Sequence, residues 1–110
     1  MGNLDRIELL RQFISEEPEN PFNIYALALE LQESEPKESQ NLFEKLLIEF
    51  PEYLPTYYPA AHFFAEWDDL EKAQETFEKG IELAKTKLET KTLQELNNAY
   101  QNFLFENDLD

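Results

Sequence analysis

Apolar positions recur along most of this chain with the period of a helix rather than that of a strand. Tyr57, Ala60, Ala61 and Phe64 are spaced i, i+3, i+4, i+7 and share one helix face. The small side chains in the middle of that face let a second helix come close, while the flanking rings fill the space at either end. A second stripe follows in Leu70, Ala73, Phe77, Gly80, Ile81 and Ala84. Between the two, Asp68 and Asp69 interrupt the pattern with short polar side chains suited to accepting hydrogen bonds from a first helical turn. Asp68 with Glu71 resembles a capping box. Two amphipathic helices joined by so short a link must lie antiparallel.

The same pattern occurs upstream. Ile24, Leu27, Ala28 and Leu31 precede Tyr57, Ala60, Ala61 and Phe64 by 33 residues, and Ser39, Phe43, Leu46 and Leu47 precede Ala73, Phe77, Gly80 and Ile81 by 34. Phe43-Glu44-Lys45 returns unchanged as Phe77-Glu78-Lys79. The chain therefore contains a repeated hairpin of helices, with one residue missing from the earlier inter-helix turn.

The flanks complete an all-α reading. Leu4, Ile7, Leu10, Arg11 and Ile14 mark a helix from about Asn3 to Glu16, stopped by Glu17-Pro18-Glu19-Asn20-Pro21, and read as the second half of a degenerate first unit. A second helix is expected from Pro21 or Phe22 to Glu33, and a third from Pro36 to about Phe50, ended by Pro51. The fourth is expected to be capped by Thr56, which puts Pro59 in a first turn whose amides lack helical partners. The fifth runs from Leu70 to about Lys85. A break over 86–90 precedes a sixth, capped by Thr90 or by Thr92 in a capping box with Glu95. Its stripe of Leu93, Leu96, Tyr100, Phe103 and Leu104 is expected to pack on the fifth helix and close the stack.

The 34-residue offset, together with Tyr57, Ala60, Ala61, Phe64, Ala73 and Phe77, resembles the tetratricopeptide repeat family. The resemblance covers roughly Asn20 to Lys85. Departures are Asp68 at the usual turn glycine, Lys85 at the closing proline, and Ser39 for the usual alanine, while Pro51 is retained. It implies a solenoid of about six antiparallel helices forming a single domain over 1–110. An N-terminal helix spans about 3–17, repeats span 20–53 and 54–87, and a capping helix spans 90–106. It also implies a concave surface that binds peptides, helices or domains and carries no catalytic chemistry. The groove-lining positions are then Tyr25, Leu29, Gln32 and Glu33 in the first repeat and Tyr58, His62, Ala65 and Glu66 in the second. The Lys and Asn pattern with which some family members grip a C-terminal carboxylate is absent, so an acidic chain end is a poor ligand.

Composition narrows the functional classes. Of 110 residues, 24 are acidic and 9 basic, a net charge of −15, so a phosphate-binding groove is not expected. A protein or peptide partner carrying basic residues is the complement of that charge; much of it serves solubility alone. Hydrophobic residues make up 42% and aromatics 14%, enough for a core. There is no Cys, no signal segment and no run near the roughly 18 apolar residues a membrane span needs. A cytoplasmic protein without membrane, nucleic-acid or cofactor binding is expected, as a monomer or weak homo-oligomer. Self-association through Leu93, Tyr100 and Phe103 or the N-terminal helix is the alternative role.

Candidate chemistry is sparse. His62 is the one histidine and is flanked by Ala61 and Phe63, with no nucleophile or orienting partner in sequence to make it a general base. Glu16-Glu17 and Asp68-Asp69 lack the spacing of a calcium loop, and no His or Cys joins them, so no metal site is expected. Two glycines, Gly2 and Gly80, build no phosphate loop.

Overall fold

The computed structural model describes residues 2–109 and divides into two compact units, the first ending at Thr56 and the second beginning at Tyr57. Among the described residues all regular structure is helical. The first unit holds α1 (Gly2–Glu16), α2 (Pro21–Glu30), α3 (Pro36–Glu49) and a 3-10 turn at Leu54–Thr56. The second holds α4 (Tyr57–Glu66), α5 (Leu70–Thr86) and α6 (Thr90–Glu106).

In the first unit α2 packs against both α1 and α3. Asn20 caps α2, its side chain accepting from the Phe22 amide at 3.1 Å, and Pro21 takes the first helical position, where no donor is required. The helix ends at Glu30, earlier than the expected Glu33. The residues beyond it make the reversal instead: the Leu31 amide donates to Leu27, the Glu35 amide donates back to Leu31, and Pro36 keeps Glu35 out of helical geometry. Ile24, Leu27, Ala28 and Leu31 are buried, as are Ser39, Phe43 and Leu46. The Ser39 hydroxyl donates to the Ala28 carbonyl at 2.7 Å, satisfying an acceptor in the last turn of α2, where carbonyls run out of amide partners. Helix α1 is held differently. Its Ile7, Leu10 and Ile14 are only half-buried, while Arg6 pairs with Glu30 at 2.9 Å and Arg11 donates two hydrogen bonds to Glu38.

In the second unit α5 packs against both α4 and α6. Tyr57, Ala60, Ala61 and Phe64 of α4 meet Ala73, Phe77, Gly80 and Ala84 of α5 in the buried interior, and α6 adds Leu96, Ala99 and Phe103. The approach is close at Gly80, where a Cβ would lie 2.7 Å from Cβ of Tyr57 and 3.3 Å from Cδ1 of Leu96. Only a residue without a side chain fits between three helices there.

The helix starts correct the sequence reading in three places. Asp69, not Asp68, caps α5, accepting from the Lys72 amide at 3.3 Å. Asp68 has φ of 63°, the left-handed conformation that explains why glycine is the usual residue at this turn. Neither Thr90 nor Thr92 caps α6: Glu89 precedes the helix and makes no side-chain cap, and both threonines lie inside the first turn. Thr56 does directly precede α4, but its buried hydroxyl makes no hydrogen bond, so it does not cap through its side chain. Pro59 is the third residue of α4 and causes no break, as an early-turn proline should.

All three helices of the second unit close in one way. Asp68, Leu88 and Asp108 take left-handed φ of 63°, 58° and 56°, and the following amides of Asp69, Glu89 and Leu109 donate back to Phe64, Ala84 and Leu104. This is the Schellman closure.

Candidate groove in the second unit

The polar side of α4 and the polar side of α6 face a common groove of about 570 Å³ over α5. From α4 come Tyr58, His62, Ala65 and Glu66, one helical turn apart along a single edge; Phe77 of α5 forms the floor. The opposite wall is α6, with Glu95, Asn98, Asn102 and Glu106 on one face and Asn107 at its end.

An aromatic system supports the groove from below. The Tyr58 and His62 rings lie 4.6 Å apart, and His62 meets buried Phe77 edge-on at 5.8 Å. Phe77 in turn stacks on Tyr100 at 5.4 Å and touches Phe103 at 5.5 Å. The Tyr100 hydroxyl donates to Glu78 at 2.6 Å; burial first, then the Glu78 carboxylate, push the phenol above its ordinary range. His62 lies between the Tyr58 and Phe77 rings, while Tyr58 keeps 43% of its surface exposed and His62 also faces solvent. The groove thus offers a rigid aromatic shelf with a carboxylate and carboxamide rim.

The four positions expected from the second repeat therefore lie along one groove. Those of the first repeat belong to the other unit and do not line it. Tyr25 is half-buried and meets Tyr53 edge-on at 5.8 Å, and burial pushes both phenols up. Leu29 is 39% exposed, Gln32 half-buried and Glu33 exposed. The α6 wall escaped the sequence reading, which followed the apolar stripe of that helix. Its signal lay on the other face, in Glu95, Asn98, Asn102 and Glu106 at helical spacing.

Chemistry beyond contact finds few groups. His62 meets the rings of Tyr58 and Phe77. Among the described residues, no group of three or more His, Cys, Asp or Glu is placed to hold a metal ion, and no helix is long and apolar enough to cross a membrane.

Two solved structures resemble the chain over most of its length. A solution NMR structure of a tetratricopeptide repeat domain protein from Salinibacter ruber superposes with a TM-score of 0.73 at 34% identity, covering 79% of this chain and 89% of that one. A crystal structure of a tetratricopeptide repeat domain protein from the same organism gives a TM-score of 0.71 at 35% identity, covering 77% of this chain and 96% of that one. No protein-family model and no curated protein matches the sequence. With identity above a third along a shared helical fold, and with the hairpin of Ile24 to Leu47 returning as Tyr57 to Ile81, the chain belongs to the tetratricopeptide repeat family.

Proposed function

We propose that this protein is a non-enzymatic adaptor or scaffold that binds a segment of a partner protein in a concave aromatic and acidic groove. The fold is that of a protein-interaction module, a type that is typically non-catalytic. The observation that carries the reading is the pair of exposed rings Tyr58 and His62, the second set edge-on against buried Phe77, in a groove large enough for several side chains. Exposed rings held in a fixed orientation bury area on binding with little loss of conformational freedom, which is why tyrosine anchors interfaces. Tyr25, Leu29, Gln32 and Glu33 are a separate candidate contact on the first unit in this reading, and the surface charge favours a partner with basic residues.

Alanine at Tyr58 removes the outer half of the shelf and touches little of the core. Binding of a native partner then weakens by about 1 kcal/mol or more, measured by calorimetry on a partner recovered from lysate, with Tyr25→Ala in parallel. Unchanged affinity for both variants would remove the groove from the account. The other role, a structural homo-oligomer, is separated by light scattering over a concentration series: mass that rises with concentration supports it, and constant mass supports the adaptor.

A further inference from the structure

The helix that reads as a cap also builds half of the groove, and the charges it brings are all of one sign. The ionisable side chains lining the groove are His62, Glu66, Glu95 and Glu106, besides the phenol of Tyr58, and none of the nine Lys and Arg residues is among them. The arginines of the chain are committed elsewhere, Arg6 to Glu30 and Arg11 to Glu38 in the first unit. We propose that the groove seats cationic side chains of the partner, arginines or lysines, against the exposed Tyr58 and His62 rings and along the α6 wall, with Glu95 and Glu106, about 16 Å apart along α6, and Glu66 of α4 supplying opposing charge at separate points. This rests on the groove being the binding surface and names the chemistry it reads.

Three physical arguments converge on that ligand. A cleft lined by one sign of charge beside apolar walls focuses its field, so it concentrates ligands of the opposite sign. A cation over the face of a tyrosine gains from the ring quadrupole, and more when neighbouring groups exclude water; buried Phe77 and Phe103 line the floor beneath. A neutral apolar segment in the same place would draw the carboxylates out of water with nothing to compensate them, and an anionic one would be repelled. Arginine suits the site better than lysine, because its planar guanidinium both stacks on a ring and presents several donors to carboxylate and carboxamide oxygens. Asn98 and Asn102, between the two α6 carboxylates, provide those further acceptors.

The test uses the whole chain, isotope-labelled for NMR, and two short peptides blocked at both ends. One carries two arginines around a phenylalanine; the other has citrulline, the neutral isostere, at both arginine positions. The expected result is saturable shifts of α4 and α6 groove amides with the arginine peptide and roughly tenfold weaker binding of the citrulline peptide. The double variant Glu95→Gln with Glu106→Gln should weaken the arginine peptide about three- to tenfold and leave the citrulline peptide unchanged. Glu8→Gln with Glu19→Gln, the same change of net charge on exposed positions of the first unit, should alter neither by more than about twofold. Equal affinity for the two peptides, equal losses in the two double variants, or no binding of the arginine peptide would overturn the cation site. A footprint that stays in the groove with both peptides equally bound would do so while leaving the groove as the partner surface; a footprint elsewhere would remove both.

Discussion

The two units share a helical hairpin, yet a third helix completes each in a different way. In the first, α1 lies on α2 with half-buried aliphatic residues, leaves Leu4, Leu9 and Phe13 exposed, and is tied down by Arg6–Glu30 and Arg11–Glu38. In the second, α6 buries Leu96, Ala99 and Phe103 and stacks Tyr100 on Phe77, so that packing holds it, with the Tyr100–Glu78 hydrogen bond added at its edge. Exposed ion pairs contribute little stability, whereas buried rings contribute several kcal/mol (about 3–5 on truncation to alanine). A helix anchored by its apolar face has its polar face free for other uses, and the groove wall of α6 is on that face. The third helix of a hairpin unit can thus be a mere cover or one wall of a groove, depending on which forces retain it.

Replacing Gly80, the residue on which the tight second unit depends, tests the comparison most severely. Gly80→Ala sets a steric cost of about 1–3 kcal/mol against a gain in helix propensity of about 1 kcal/mol. The obstructing atom is Cβ of Tyr57, which moves only with its backbone. A net loss of up to about 2 kcal/mol is expected in denaturant unfolding. Its counterpart in the first unit is Leu46, fully buried, so the same position there is filled by a side chain and no such restriction operates.

The helix closures give an effect of opposite sign. Leu88 holds a left-handed φ of 58° with 83% of its surface exposed, so its backbone is strained and its side chain packs on little. Leu88→Gly should stabilise the protein by about 0.5–1 kcal/mol, the left-handed penalty less the entropy that glycine adds to the unfolded chain. Thermal unfolding reads this directly, and a fall in Tm would count against the closure. At the α2 end of the first unit Leu31 has φ of −96°, so glycine there relieves nothing.

The smallest effect belongs to the ion pairs of α1. Hydrogen bonds from Arg11 hold the Glu38 carboxyl below its ordinary range, against a smaller opposing effect of burial. Because the folded value is depressed, the pair stabilises above the carboxylate value of the unfolded chain, and the contribution is lost as pH falls through the lower, folded value. Both side chains are more than a third exposed, so Glu38→Gln should cost only about 0.5 kcal/mol at neutral pH. The difference from the unsubstituted protein should disappear in acid, once the pH falls below the depressed folded value of Glu38.

The hairpins were legible in the sequence because Ile24, Leu27, Ala28 and Leu31 and their later equivalents obey a helical period and recur at a fixed offset, and nothing else buries those faces. Which aspartate caps α5 was not legible. Asp68 and Asp69 are chemically alike, and only the backbone angle separates the residue in left-handed geometry from the one that accepts the Lys72 amide. Thr90 and Thr92 misled for a similar reason: the closure at Leu88 sets where α6 begins, and leucine gives no sign of it. Of the groove, the α4 edge followed from the family pattern. The α6 wall did not, since Glu95, Asn98, Asn102 and Glu106 look like an ordinary solvated face until the fold sets them opposite Tyr58 and His62.

Hydrogen exchange of the full chain, alone and with a partner recovered from lysate, tests most directly whether the work is done on the α4 and α6 faces of the second unit. Protection on binding should concentrate in Tyr57–Glu66 and in the groove side of Thr90–Glu106, and should diminish with Tyr58→Ala. Protection centred instead on the outer acidic face of α5, around Glu71 and Glu75, with those two helices unchanged, would contradict the account.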